Sequence, residues 1–161
     1  IIKIKIKVMI TLFQLSVFVI YVGFLLYTFK KPLPSISDSW YELPNNQKPL
    51  FTLFCWSLGI AMLFQGTGET PLFFLSGSGL TFVGAATMFK STGAHTNIVH
   101  YTGAAVGIIL ALVGIGYENG VWIPLIVWLI STILLKVLKV ENSTWWIEIV
   151  AFLTIIIGFY L

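Results

Sequence analysis

The side chains that could move a proton, hold a metal or attack a carbonyl are few, and they fall in three places. Both histidines belong to one region: His95 lies within the polar stretch Lys90-Ser-Thr-Gly-Ala-His-Thr-Asn97, and His100 follows just after it. Glu148 closes Trp145-Trp-Ile-Glu148 near the start of the last apolar run. Asp38 sits among Ser35, Ser37, Ser39, Tyr41 and Glu42 in the long loop. An imidazole within hydrogen-bond reach of a carboxylate makes a general acid–base couple. An ionisable group at membrane depth is costly, and so is a functional candidate. His100, Asp38 and Glu148 are therefore the candidate catalytic residues. Ser37, Asp38, Tyr41, His95, His100 and Glu148 form the candidate ligand-binding set. Each has a plainer reading: Glu148 paired with Lys136 or Lys139 or turned to water, His100 hydrogen-bonded to the long loop, His95 exposed in its own loop, and Asp38 and its serines as turn and cap residues.

Sharper chemical signatures are missing. A metal site needs three or four converging ligands. His95 and His100 are five residues apart, which is about 140° on one helix. They converge only if the helix starts near Ile98 and leaves His95 in a loop. No HExxH or CxxC spacing occurs, so no metal and no cofactor is expected. Ser37 with His100 and an acid lacks a nucleophile motif. The glycines of the third span lie in an apolar run, which suits close helix packing rather than phosphate binding. Cys55, the only cysteine, cannot form an intramolecular disulfide and reads as a small buried apolar residue.

The elements that must position these residues are membrane helices. The chain is 58% hydrophobic and 9% charged, against about a quarter charged in a soluble domain. Its net charge of +3 comes from nine lysines and six acids, too small and scattered a balance for a nucleic-acid surface. The expectation is an all-α integral membrane bundle, one transmembrane domain over residues 1–161, with six spans near 8–29, 50–65, 71–89, 98–117, 121–138 and 144–161. The first residue is Ile1, which leaves a missing start or a removed leader as the two expectations. Residues 1–29 have the basic front and apolar body of a signal peptide, but the body is too long and no small-residue cleavage site closes it. It is read as a span, with Lys3, Lys5 and Lys7 anchoring to headgroups.

Residues 71–117 form the expected packing centre. Gly77, Thr81 and Ala85 recur every four residues, as do Gly103, Gly107 and Ala111, and small residues let helix backbones approach closely in lipid. Those stripes should face each other or a neighbouring helix. Tight turns are expected at Gly66-Thr-Gly-Glu-Thr70 and Glu118-Asn-Gly120. Four of the six prolines fall in 30–49, so this loop should be extended at its ends. Ser39-Trp-Tyr-Glu42 has capping-box spacing and predicts a short interfacial helical turn that places Trp40 and Tyr41 at the membrane surface. Ser143 or Thr144 is the expected N-cap of the last span.

Six spans put Asp38, Tyr41, His95, His100 and Glu148 on one rim. Lys30, Lys31, Lys48, Lys90, Lys136 and Lys139 share that rim, against Lys3, Lys5 and Lys7 opposite, which places loops one, three and five in the cytoplasm. The expected location is a bacterial inner membrane. The expected partners are membrane lipid and a protein partner or second copy through small-residue faces, with no nucleic acid.

Leu33-Pro-Ser-Ile-Ser-Asp-Ser-Trp-Tyr41, Phe82-Val-Gly-Ala-Ala86, Val99-His-Tyr-Thr-Gly-Ala104 and Trp145-Trp-Ile-Glu148 together resemble a family of short bacterial or phage polytopic membrane proteins, a likeness that implies no particular activity. A more distant likeness is to the alkaline ceramidase-like membrane hydrolases, and it implies seven spans and zinc held by Ser, Asp and three His. This chain has six expected spans, two histidines and no HxxxH pair, and no zinc site is assigned. The leading expectation is non-catalytic binding of a lipid or small amphiphile, or an accessory subunit. The alternatives are a lipid hydrolase using His100, Asp38 and Glu148, and a small proton-linked carrier using Glu148.

Overall fold

The structure, a computed structural model, describes residues 2–66, 70–86 and 94–161, with side chains from Lys5 in the first stretch and from Ile98 in the third. Among these residues the chain is all-α: α1 (Ile2–Phe29), α2 (Ser39–Glu42), α3 (Pro49–Leu63), α4 (Leu72–Ala86), α5 (Ala94–Asn119), α6 (Ile123–Val137) and α7 (Ser143–Tyr160). Three stretches are long and apolar enough to cross a membrane: Lys5–Phe29, Ile98–Asn119 and Ser143–Tyr160. The other long helices, α3, α4 and α6, have 15 residues each. That is about 22 Å of rise, short of a ~30 Å hydrocarbon core. Of the turn expected over 66–70, residues 67–69 lie outside the described residues, as do 87–89 of the third expected span and 90–93 of the loop expected over 90–97; the rest of that loop, 94–97, is already helix α5.

Residues that lack side chains dictate the centre. α4 lies between α3 and α5 and uses a different face for each. Toward α3, a Cβ added at Gly59 would stand 2.7 Å from the Gly77 carbonyl oxygen. Toward α5, a Cβ on Gly79 would stand 2.7 Å from the Gly103 carbonyl oxygen. Real Cβ atoms do not come so near backbone, so these helices meet at a distance only glycine permits. Side-chain donors cross the same interfaces to backbone acceptors. Ser76, fully buried, donates to the Gly107 carbonyl at 2.5 Å, and Thr52 donates to that of Gly84 at 3.1 Å. The two stripes read from the sequence do not meet each other directly. The Gly77 and Thr81 face packs on Gly59 of α3, while Gly103 and Gly107 pack on Gly79, Val83 and Leu80 of α4.

The flanking helices are held by large side chains. α1 turns Thr11, Gln14, Phe18, Tyr21 and Leu25 inward, a 3–4 spacing along one face. Tyr21 stacks on Phe54 at 4.4 Å between ring centroids, Phe54 meets Phe152 edge-on at 5.5 Å, and Phe152 lies 5.8 Å from Phe18. This aromatic chain joins α1, α3 and α7. At the other end of α1, the Gln65 amide donates to Thr11 at 3.2 Å and to Gln14 at 3.1 Å. α6 is peripheral: among its residues only Pro124 is buried.

Two expected caps differ. Asp38, not Ser39, is the N-cap residue of α2, and its side chain makes no cap bond. The Ser39 hydroxyl is drawn instead to the Ile36 carbonyl at 2.5 Å and to Tyr21. At α7 the N-cap is Asn142, in the left-handed conformation with φ 52°, which Asn tolerates better than Ser or Thr.

Candidate functional site

The rim is built by strapping the long loop onto the first turns of α7. Lys30 ends α1 with φ 58° and turns the chain back over the bundle. Three contacts then follow in register. Asn142 donates its amide to the Pro32 carbonyl at 3.3 Å, the Trp145 amide donates to the Pro34 carbonyl at 3.1 Å, and Ile36 donates its amide to the Glu148 carboxylate at 2.5 Å. Every second loop residue meets every third helix residue, so the strap runs down one face of α7. The first N–H groups of a helix have no intrahelical partner, and the Pro34 carbonyl of the strap satisfies one of them, that of Trp145. Leu33 and Ile36 plug it into the core beside Trp145, which is 1% exposed.

The serines knot the strap from within. The Ser35 hydroxyl donates to the Asp38 carboxylate at 2.8 Å, accepts from the Asp38 amide at 3.1 Å and lies 2.9 Å from the Ser37 hydroxyl. Ser39, fully buried, meets the Tyr21 hydroxyl at 2.7 Å and so ties the knot to α1. Beneath it is a cavity of about 30 Å³ whose polar and titratable lining is Ser37, Cys55, His100 and Glu148, with Phe51, Phe54 and Phe152 among its apolar walls. That volume has room for a water or two.

Of the residues singled out in the sequence, Ser37, His100 and Glu148 line this one cavity. Asp38 does not line it and is committed to Ser35. Tyr41 is 64% exposed on the outer side of α2 and does not line it. The side chain of His95 lies outside the described residues. Its backbone is helical, because α5 begins at Ala94 and not near Ile98; five residues on one helix turn His95 and His100 about 140° apart. Among the described residues no group of three or more His, Cys, Asp or Glu could hold a metal. His100 packs edge-on against Tyr101 at 5.7 Å between ring centroids. The pairing of Glu148 with a lysine is not what forms: Lys136 donates to Ser143 at 3.1 Å, and the Glu148 carboxylate takes the Ile36 amide. The loop-holding role weighed for His100 is filled by Glu148.

Sequence reasoning passed over Tyr21, and it read Cys55 as a small buried apolar residue, which it is, without placing it at the cavity. The 3–4 spacing of Thr11, Gln14, Phe18 and Tyr21 carries a signal for the first, since it puts polar groups on an otherwise apolar inner face. Nothing in the run around Cys55 distinguishes it from its neighbours. No family model, curated protein or solved structure matches the chain.

Proposed function

We propose that α1 and α3 to α7 all cross the bilayer and that the protein binds a lipid or small amphiphile without transforming it, as a membrane-resident binding or accessory protein. The observation that carries this reading is the space between α1 and α3. Two hollows of about 530 and 380 Å³ share Leu53 and Ser57 and are walled almost wholly by apolar side chains. Their size is that of a small-molecule site, whereas the polar cavity under the strap is about 30 Å³. A hydrolase acting through His100, Asp38 and Glu148, or a carrier acting through Glu148, requires the strap to lift, because Asp38 and Glu148 both serve the loop. The short helices fit a bilayer that thins locally or a span lengthened by its flanking turns; after α3, Phe64 and Gln65 still bond back to Ala61 and Met62. A bacterial inner membrane with the α1–α3, α4–α5 and α6–α7 connections in the cytoplasm belongs to the same proposal and rests on the lysine distribution.

Purified protein washed in detergent should keep a stoichiometric lipid or amphiphile by mass spectrometry and carry no stoichiometric transition metal by elemental analysis. Loss of all lipid, or a bound metal, overturns the binding reading in favour of the hydrolase. Cysteines placed at Asn46 and Pro71, both exposed, should label from opposite sides of the membrane. Labelling from one side would remove α3 from the set of spans.

A further inference from the structure

We propose that the groove between α1 and α3 seats an acyl chain of an anionic phospholipid whose phosphate is held by Lys5. This rests on the lipid-binding reading above and names the lipid class, the site and the end at which the headgroup lies. The larger hollow has Met9, Ile10 and Phe13 of α1 on one wall and Trp56 and Ile60 of α3 on the other. Met9 is 69% exposed and Ile60 48% exposed, so the hollow opens sideways, where lipid tails lie. Met9 to Val17 covers about 12 Å of helix rise, close to the ~15 Å depth of one leaflet.

Charge sets the headgroup end. Lys5 lies four residues before Met9 and eight before Phe13, so it sits on the helix stripe that leads into the groove, whereas Lys7, four before Thr11, lies on the inward stripe. Lys5 is exposed, so its ammonium can reach water over the apolar wall. α1 contains no acidic residue to neutralise it. At the opposite end of α1, Lys30 places its ammonium over the Tyr27 ring, 4.0 Å from the centroid, and so is already engaged. Two polar pins keep the groove from closing by rotation of α1. Gln65 holds Thr11 and Gln14 at one end, and Ser39 holds Tyr21 at the other. With those groups turned inward, Met9 and Phe13 must face outward.

The test is native mass spectrometry of the full chain extracted from vesicles of mixed phosphatidylglycerol and phosphatidylcholine. The wild-type chain should retain phosphatidylglycerol preferentially. Lys5→Gln should lower that preference about fivefold while total retained lipid stays the same, and Lys7→Gln should leave the preference unchanged. Leu53→Trp, at a 56% exposed position shared by both hollows, should cut retention of both lipids. Unchanged preference in Lys5→Gln overturns the headgroup assignment, and undiminished retention in Leu53→Trp overturns the groove. A wild-type chain that retains neither lipid removes the binding reading itself, a different failure from a chain that retains both without preference.

Discussion

The α3–α4–α5 slab and the α1–α7 side of the bundle are held together by opposite means. In the slab, cohesion comes from missing side chains: Gly59 against Gly77 and Gly79 against Gly103 bring backbone to backbone. On the other side it comes from large rings and a strap of loop, with Trp145, Phe152 and Tyr21 filling space and Pro32, Pro34 and Ile36 bonded to α7. A glycine interface has no slack, because any added atom meets main chain. The strap is joined through a few separable polar contacts, each of which can open while the rings stay packed. The small cavity lies where the two regions meet, with Ser37 and Glu148 on the strap side and Cys55 and His100 on the slab, so it is the strap and not the slab that could open it.

The largest effect that would break this comparison is expected at Gly79. Gly79→Leu must push α5 away from α4, and since overpacking typically costs about 1–3 kcal/mol, the upper end or beyond is expected here. Thermal unfolding in detergent should show a marked loss for this variant and little change for Gly23→Leu, where an added Cβ meets nothing within 4 Å. Equal tolerance of both would mean that the slab is not held by close approach.

A smaller loss is expected at the strap. Glu148→Ala leaves the Ile36 amide without its acceptor and should cost about 1–3 kcal/mol; Glu148→Gln keeps an acceptor and should cost less. Hydrogen exchange at the Ile36 amide should rise in Glu148→Ala while exchange in α4 and α5 is unchanged. His100→Ala should leave the Ile36 amide protected, because among the described residues the ring makes no hydrogen bond to the strap and packs instead on Tyr101. Protection lost in His100→Ala but kept in Glu148→Ala would reverse the roles assigned to the two residues.

The smallest expected effect sharpens the boundary between the two regions. Tyr21→Phe removes the hydroxyl that meets Ser39 while keeping the ring stacked on Phe54. A loss of about 0.5–1.5 kcal/mol is expected, and a double-mutant cycle with Ser39→Ala should show coupling between neighbours. Additive effects would mean that the loop is tied to α1 by packing alone.

The long helices were legible because hydropathy is a local property. Runs near 8–29, 98–117 and 144–161 correspond to α1, α5 and α7, and 50–65, 71–89 and 121–138 to the shorter α3, α4 and α6. The Ser39–Glu42 turn was legible from its spacing, but its cap was not, since Ser39 is claimed by Tyr21 from another helix. Small-residue stripes announced close packing; which face of α4 met which neighbour was not readable, because α4 carries small residues on both.

By itself the sequence determined the helical class, the segment order and the gathering of His100, Glu148 and the serine-rich loop toward one end, since connectivity alone carries those facts. Only the tertiary structure decided what Glu148 does. Its partner is the amide of Ile36, 112 positions away in the chain. That amide is a donor only because the proline-bearing strap runs outside any helix, and it reaches Glu148 only because Trp145, Leu33 and Ile36 pack the strap against α7. Periodicity cannot carry such a contact: it reports which face of a helix is buried, not which backbone group will come to lie against it.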